Sequence, residues 1–150
     1  MVIRRISRSD IEREPYQLWN AFIDLLAMEE YESLNNVQRI AYLSFWYDSE
    51  VNNGGHLQYF ENQGIHHLEE TISALKSIGA DKQSQILSAA GKRYLKKRRN
   101  PVLSAAEFVF KALEGEFDEF DSKYYNCSPT VNDFLEKYLK SHQDQFVQIF

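Results

Sequence analysis

Glu50-Val51-Asn52-Asn53-Gly54-Gly55-His56-Leu57-Gln58-Tyr59-Phe60-Glu61-Asn62 interrupts a sequence that is otherwise helical on both sides. Upstream, Val37, Ile40, Ala41, Ser44, Phe45 and Tyr47 recur along one helix face, and Asn35 or Asn36 is a suitable N-cap. The paired glycines stop that helix near Val51, because they admit positive φ and close approach of another segment. A short helix over His56–Asn62 follows and runs into Gly64. Two readings of the polar side chains stay open. Asn53 and Asn62 can bond free backbone groups at the helix ends and tie neighbouring helices together. Alternatively, Asn53, His56, Gln58 and Tyr59 line a small polar pocket for a ligand or a substrate.

Outward from this stretch, helix signals continue. Pro15 opens Tyr16–Met28, with Leu18, Trp19, Phe22, Ile23, Leu25 and Leu26 at helical spacing. Ile65–Ile78 carries one apolar face and ends at Gly79. Asp81 is placed to cap a helix reaching Arg99, closed by Asn100-Pro101. Leu103, Ala106, Phe110, Leu113, Phe117 and Phe120 then form a stripe that crosses Gly115, which predicts one helix bent there. Ser128-Pro129 reads as N-cap and first helical residue of a last helix ending near Ser141. The apolar end, Phe146–Phe150, is expected to pack on the domain or on a second copy. No segment reads as a strand. The expectation is an all-α fold: one compact domain over residues 1–150, of six or seven helices, with residues 1–14 as a candidate flexible arm.

The chain has 17 Lys+Arg against 22 Asp+Glu, a formal charge of −5. An apolar content of 43% supports a core and excludes wholesale disorder. A single cysteine, Cys127, cannot build a disulfide framework and fits a reducing compartment. No apolar segment follows the basic start, and none is long enough to span a bilayer. A cytoplasmic location is therefore expected, without membrane contact.

The charge is unevenly placed. Residues 91–100 hold Lys92, Arg93, Lys96, Lys97, Arg98 and Arg99 and no acid. Such a run is either a nucleic-acid contact or a set of cations complementing a helix C-terminus. The acidic overall balance disfavours the nucleic-acid reading. On one continuous helix, Glu107, Glu114, Asp118 and Asp121 fall in a narrow arc beside the apolar stripe. That row is either a solvated face or an imitation of a line of phosphates.

No catalytic chemistry is legible. Glu-x-x-His, Gly-x-Ser-x-Gly, phosphate-loop and dinucleotide motifs are all missing. His66 and Glu70 stand at metal-pair spacing but lack further ligands. The expectation is no enzyme, no metal and no cofactor.

The residues Glu50, Asn53, Gly54, Gly55, Gln58, Tyr59, Phe60 and Asn62 resemble the signature of a bacterial all-helical domain family. Its named member is a DNA mimic. The pattern is Glu-x-x-Asn-Gly-Gly-aromatic-x-Gln-Tyr-Phe-x-Asn; His56 replaces the usual aromatic. A Phe-rich acidic helix, Tyr124-Tyr125 and a closing helix lie downstream, as in that family. The resemblance covers about residues 15–145. It implies an acidic dimer surface that occupies the DNA-binding face of a helix-turn-helix regulator. Fold membership alone does not transfer that activity.

The function expected is therefore a non-enzymatic protein-binding module. Its partner would be a basic, DNA-binding protein met by Glu107, Glu114, Asp118 and Asp121, with Glu29, Glu30 and Glu32 as further candidates. A homodimer is a candidate assembly. The alternatives are a small-ligand binder or enzyme at the Asn-Gly-Gly turn, and direct nucleic-acid binding through Lys92–Arg99.

Overall fold

The computed structural model describes residues 1–150 and is an all-helical domain. Eight α-helices are present: α1 (Arg8–Arg13), α2 (Gln17–Met28), α3 (Asn36–Gln63), α4 (Leu68–Ser77), α5 (Asp81–Leu95), α6 (Ala105–Leu113), α7 (Asp118–Tyr125) and α8 (Val131–Ser141). α3 is the central element, against which α2, α4, α7 and α8 pack.

Local chemistry sets the boundaries. Asn35 caps α3 in a reciprocal capping box with Gln38. α4 ends in the six-to-one and five-to-two bonds of a Schellman turn. The Ala80 N–H donates to Leu75 O at 2.8 Å and the Gly79 N–H to Lys76 O at 3.0 Å. Gly79 takes φ +96° there, which glycine adopts without Cβ strain. Where Asp81 was expected as N-cap, Ala80 occupies that position and Asp81 lies in the first turn, still favourable to the helix dipole. The last helix is capped by Thr130 with Asp133, two residues later than Ser128-Pro129 would place it. Its buried face is Val131, Leu135, Tyr138 and Leu139.

Two expectations are corrected. First, the long stripe from Leu103 to Phe120 is two helices. Gly115 adopts φ +70° and ends α6, and α7 starts afresh at Asp118. Phe117 and Phe120 enter the core, whereas Leu103, Phe110 and Leu113 stay in solvent. Likewise α5 stops at Leu95 rather than Arg99. Second, strands do exist. β1 (Arg4–Ile6) and β2 (Val147–Ile149) pair in parallel, with Arg4 opposite Val147. Residues 1–14, read as a candidate arm, thus supply β1 and α1. Phe146 is fully buried, its ring edge-on to Phe22 at 4.8 Å.

Candidate functional site

The motif of residues 50–62 forms the bend of α3. Helical geometry fails at Gly54 and Gly55, and Gly55 takes φ +75°. The bend frees carbonyls of the first arm and N–H groups of the second, and both need partners. α7 supplies them. The Tyr125 hydroxyl donates to Val51 O at 2.6 Å, and the Asp121 carboxylate accepts the His56 N–H at 2.8 Å. Asp121 also bonds His56 Nδ1 at 2.7 Å, and His56 Nε2 meets the Tyr47 hydroxyl at 2.7 Å. A further bond joins the Tyr124 hydroxyl to Asp48.

The polar motif residues brace the bend from the other side. Glu50, on the first arm, accepts from Gln58 at 3.0 Å and from Asn62 at 2.7 Å, both on the second arm. Tyr59 and Phe60 are core residues. A Cβ at Gly54 would overlap Gln58, and one at Gly55 would overlap Asp121. The polar chemistry of this stretch is thus a helix junction made self-sufficient in hydrogen bonds.

His56 and Tyr59, expected in a pocket with Asn53 and Gln58, are buried and do not border the cavity that those two border; Tyr59 instead borders one of about 180 Å³ beside the 3₁₀ turn Tyr31–Ser33. Tyr47, at the end of the Asp121–His56–Tyr47 chain, is fully buried, and burial holds its phenol well above the usual range. Asn53 and Gln58 border a cavity of about 440 Å³ under α6. A second one, about 470 Å³, opens over Gly54 and Gly55.

That second cavity settles where the acids and bases of the C-terminal half lie. Glu114, Glu116, Asp118 and Asp121 line it together with Lys97, Arg98, Arg99 and Lys111. Charges of the two signs interleave. Arg99 clasps Glu116 through two bonds of 2.5 and 2.9 Å, which lowers the Glu116 pKa, and Lys97 stands 3.4 Å from the same carboxylate. Arg93 pairs with Glu119 at 2.8 Å. Arg99 also turns back to donate to Tyr94 O and Arg93 O, the carbonyls at the end of α5. Of the four acids singled out in the sequence, Asp121 is committed to His56. Glu107 accepts the Leu103 N–H at 2.9 Å, at the entrance to α6. Glu114 and Asp118 are exposed. The break at Gly115 removes the single arc on which the four were expected. Cys127 donates to Lys123 O, and burial pushes its thiol pKa up.

A different part of the molecule is consistently acidic. Residues 14–75, which form α2, all of α3, most of α4 and the 3₁₀ turn Tyr31–Ser33, carry ten acids and one base, Arg39. Glu29 pairs with Arg4 at 2.8 Å, and Asp24 pairs with Arg4 at 2.7 Å. Glu30, Glu32, Glu69 and Glu70 are exposed and form no ion pair. The rings of Tyr31 and His67 lie 4.3 Å apart, inclined at 38°, which brings the 3₁₀ turn against the start of α4, whose first turn carries Glu69 and Glu70. No sequence periodicity pointed to Glu69 and Glu70. Their only signal was the absence of Lys and Arg between residues 40 and 75.

Residues 32–142 match the DMP19-like protein family. The chain belongs to that family. The match spans the bent α3, the α4–α5 pair and α7–α8, so the bend and its braces lie wholly within the family domain. No curated protein and no solved structure matches the chain. No helix is long and apolar enough to cross a membrane.

Proposed function

We propose that this protein is a non-enzymatic binding module that uses an acidic surface to occupy the basic face of a DNA-binding protein, such as a transcriptional regulator. The observation that supports this most is the segregation of charge. Half of the basic run, Arg93, Lys97 and Arg99, is paired with Glu116 and Glu119, whereas residues 14–75 carry a single base and their acids form no ion pair except at Arg4. Membership of the DMP19-like family supports the same reading through the DNA-mimic member that the sequence resembles. Glu30, Glu32, Glu69 and Glu70 are the principal contact residues in this proposal. Glu107, Glu114 and Asp118 form a secondary patch, and Asp121 acts on it only from behind. Two copies of the chain associating would double the acidic area, as the resemblance to the mimic family implies.

Complementary charge steers such an encounter and makes it sensitive to salt. Immobilised protein is therefore expected to retain basic DNA-binding proteins from a bacterial lysate and to release them to duplex DNA or to salt. Reversing Glu30, Glu32, Glu69 and Glu70 to Lys should abolish retention, while Glu114→Lys with Asp118→Lys should weaken it less. Retention that survives the fourfold reversal, or that duplex DNA does not compete away, rejects the proposal. The cavity over Gly54 and Gly55 supports a second reading, a small charged ligand held between Lys97, Arg98 and Asp118. It predicts that Arg98→Ala abolishes binding of that ligand and leaves protein retention intact.

A further inference from the structure

Between the 3₁₀ turn Tyr31–Ser33 and the start of α4 lies a cavity of about 180 Å³ bordered by Glu30, Tyr31, Glu32, Tyr42, Trp46 and His67. Three of these are aromatic rings arranged around a space. Tyr31 and Tyr42 are 5.8 Å apart with planes inclined at 55°, and Tyr42 and Trp46 are 6.2 Å apart at 57°. The tilts make the rings wrap the space instead of stacking. Aromatic faces are electron-rich and attract cations, most strongly those of Trp and Tyr. The Trp46 indole N–H is already donated to Leu26 O at 3.1 Å, so the ring offers its face and not its donor.

Two carboxylates without basic partners, Glu30 and Glu32, border the same space. Burial raises the pKa of the Tyr42 phenol, and the charges of Glu30 and Glu32 raise it further, so their negative potential is felt at the ring. His67 completes the wall. Its Nδ1 is buried and has no hydrogen-bond partner. An orphaned buried nitrogen is costly unless something bonds it, and a neutral ring protonated at Nε2 presents Nδ1 as an acceptor. The fold already uses one of these rings for a cation. Arg39 lies over Tyr31 at 4.5 Å and donates to Tyr31 O and Glu32 O, without bordering the cavity. Tyr42 and Trp46 remain for a second cation.

We propose that this cavity binds an ammonium or guanidinium head. Tyr42 and Trp46 supply the faces, Glu30 and Glu32 the counter-charge, and His67 Nδ1 an acceptor for one N–H. The volume is well under the roughly 300–1,000 Å³ of typical small-molecule sites, so it takes a head group and not a cofactor. The head is that of a Lys or Arg side chain on another protein or of a free small amine. The site stands without the partner reading above. It shares Glu30 and Glu32 with the surface proposed above, so the two readings are separated on the unmodified chain: saturable binding of small cations without retention of any DNA-binding protein leaves the site standing and rejects only the partner reading.

The protein has two tryptophans, Trp19 and Trp46, so its two indole ¹⁵N–¹H signals are assigned with a single Trp19→Phe variant. Titration at constant ionic strength uses n-butylammonium chloride, methylguanidinium chloride, tetramethylammonium chloride, 1-butanol and the blocked peptide acetyl-Gly-Lys-Gly-amide. The Trp46 signal should shift saturably with butylammonium or methylguanidinium and not with 1-butanol. Glu30→Gln combined with Glu32→Gln, both surface changes, should weaken this about tenfold or more. Peptide binding as tight as the free amine identifies a side chain as the source; binding of the free amine alone identifies a small metabolite, and either supports the site. The proposal is overturned by the absence of a shift, by an equal shift with 1-butanol, or by indifference to the double Gln variant. Tighter binding of tetramethylammonium than of butylammonium also overturns it, because no N–H donor would then be involved.

Discussion

At Gly55 the backbone conformation and the available space both require glycine. Its φ of +75° strains any L side chain, and a Cβ would also strike the Asp121 carboxylate that caps the second arm of α3. Gly64 has a similar φ of +65° but open space around it. The pair separates backbone strain from loss of the cap. Both have ψ near 180°, a region essentially reserved for glycine, so Gly64→Ala should cost only the strain, about 1–3 kcal/mol. Gly55→Ala should cost about 1 kcal/mol more, since a capping bond is displaced as well. Chemical denaturation of the two variants checks this, and equal losses would show that Asp121 contributes nothing to the bend. The same residue explains why the sequence misled about the acidic row. Asp121 has the charge and spacing of a surface acid, yet its partner is a backbone N–H 65 positions earlier, which helical periodicity cannot reveal.

Single helices were legible wherever a cap and an apolar face coincided, as in α3 with Asn35–Gln38 and α4 with Gly79. They were misread where periodicity ran on across a break. From Leu103 to Phe120 the spacing is that of one core-facing helix, but Gly115 takes a left-handed conformation and reorients the chain. The four stripe residues before the break, Leu103, Ala106, Phe110 and Leu113, then point to water. Phe110 is 72% exposed and Leu113 79%, whereas Phe117 is 3%. Truncating the two parts should therefore have opposite consequences. Phe110→Ala should change stability by less than about 0.5 kcal/mol, as a surface substitution. Phe117→Ala should cost about 3–5 kcal/mol, as a core deletion next to Phe60 and Phe120. Thermal or denaturant melts of both variants decide between the broken stripe and a continuous buried helix, for which both losses would be large. The cavity at Tyr31, Tyr42 and Trp46 was invisible for a related reason: its walls come from three elements, and only folding puts them around one space.

Across the whole molecule, Gln38 joins what the sequence keeps furthest apart. It is fully buried, and its side chain makes three bonds. Nε2 donates to Val2 O at 2.6 Å and to Gln145 O at 2.8 Å, and Oε1 accepts the Asn35 N–H at 2.9 Å. The cap of the central helix and both ends of the chain thus share one amide. The parallel pairing of β1 with β2 lies beside it, and Arg4 of β1 reaches Asp24 and Glu29 of the α2 end. Three-residue strands separated by about 140 positions carry no alternation long enough to read, which is why no strand was expected. Their energetic weight is nevertheless testable. Gln38→Leu keeps the volume but strands three buried polar groups, at a cost of roughly 3 kcal/mol. At this chain length that corresponds to a melting temperature lowered by roughly 6–12 °C. Deleting residues 1–6 removes Val2 and β1 together, so the Gln38–Val2 bond is lost in either variant. Combined, the two changes should cost less than the sum of their separate losses, by roughly 1 kcal/mol, the value of the shared bond. Strict additivity would mean that the Gln38–Val2 bond contributes nothing, and a neutral deletion of residues 1–6 would mean that the closed ends add nothing to the fold.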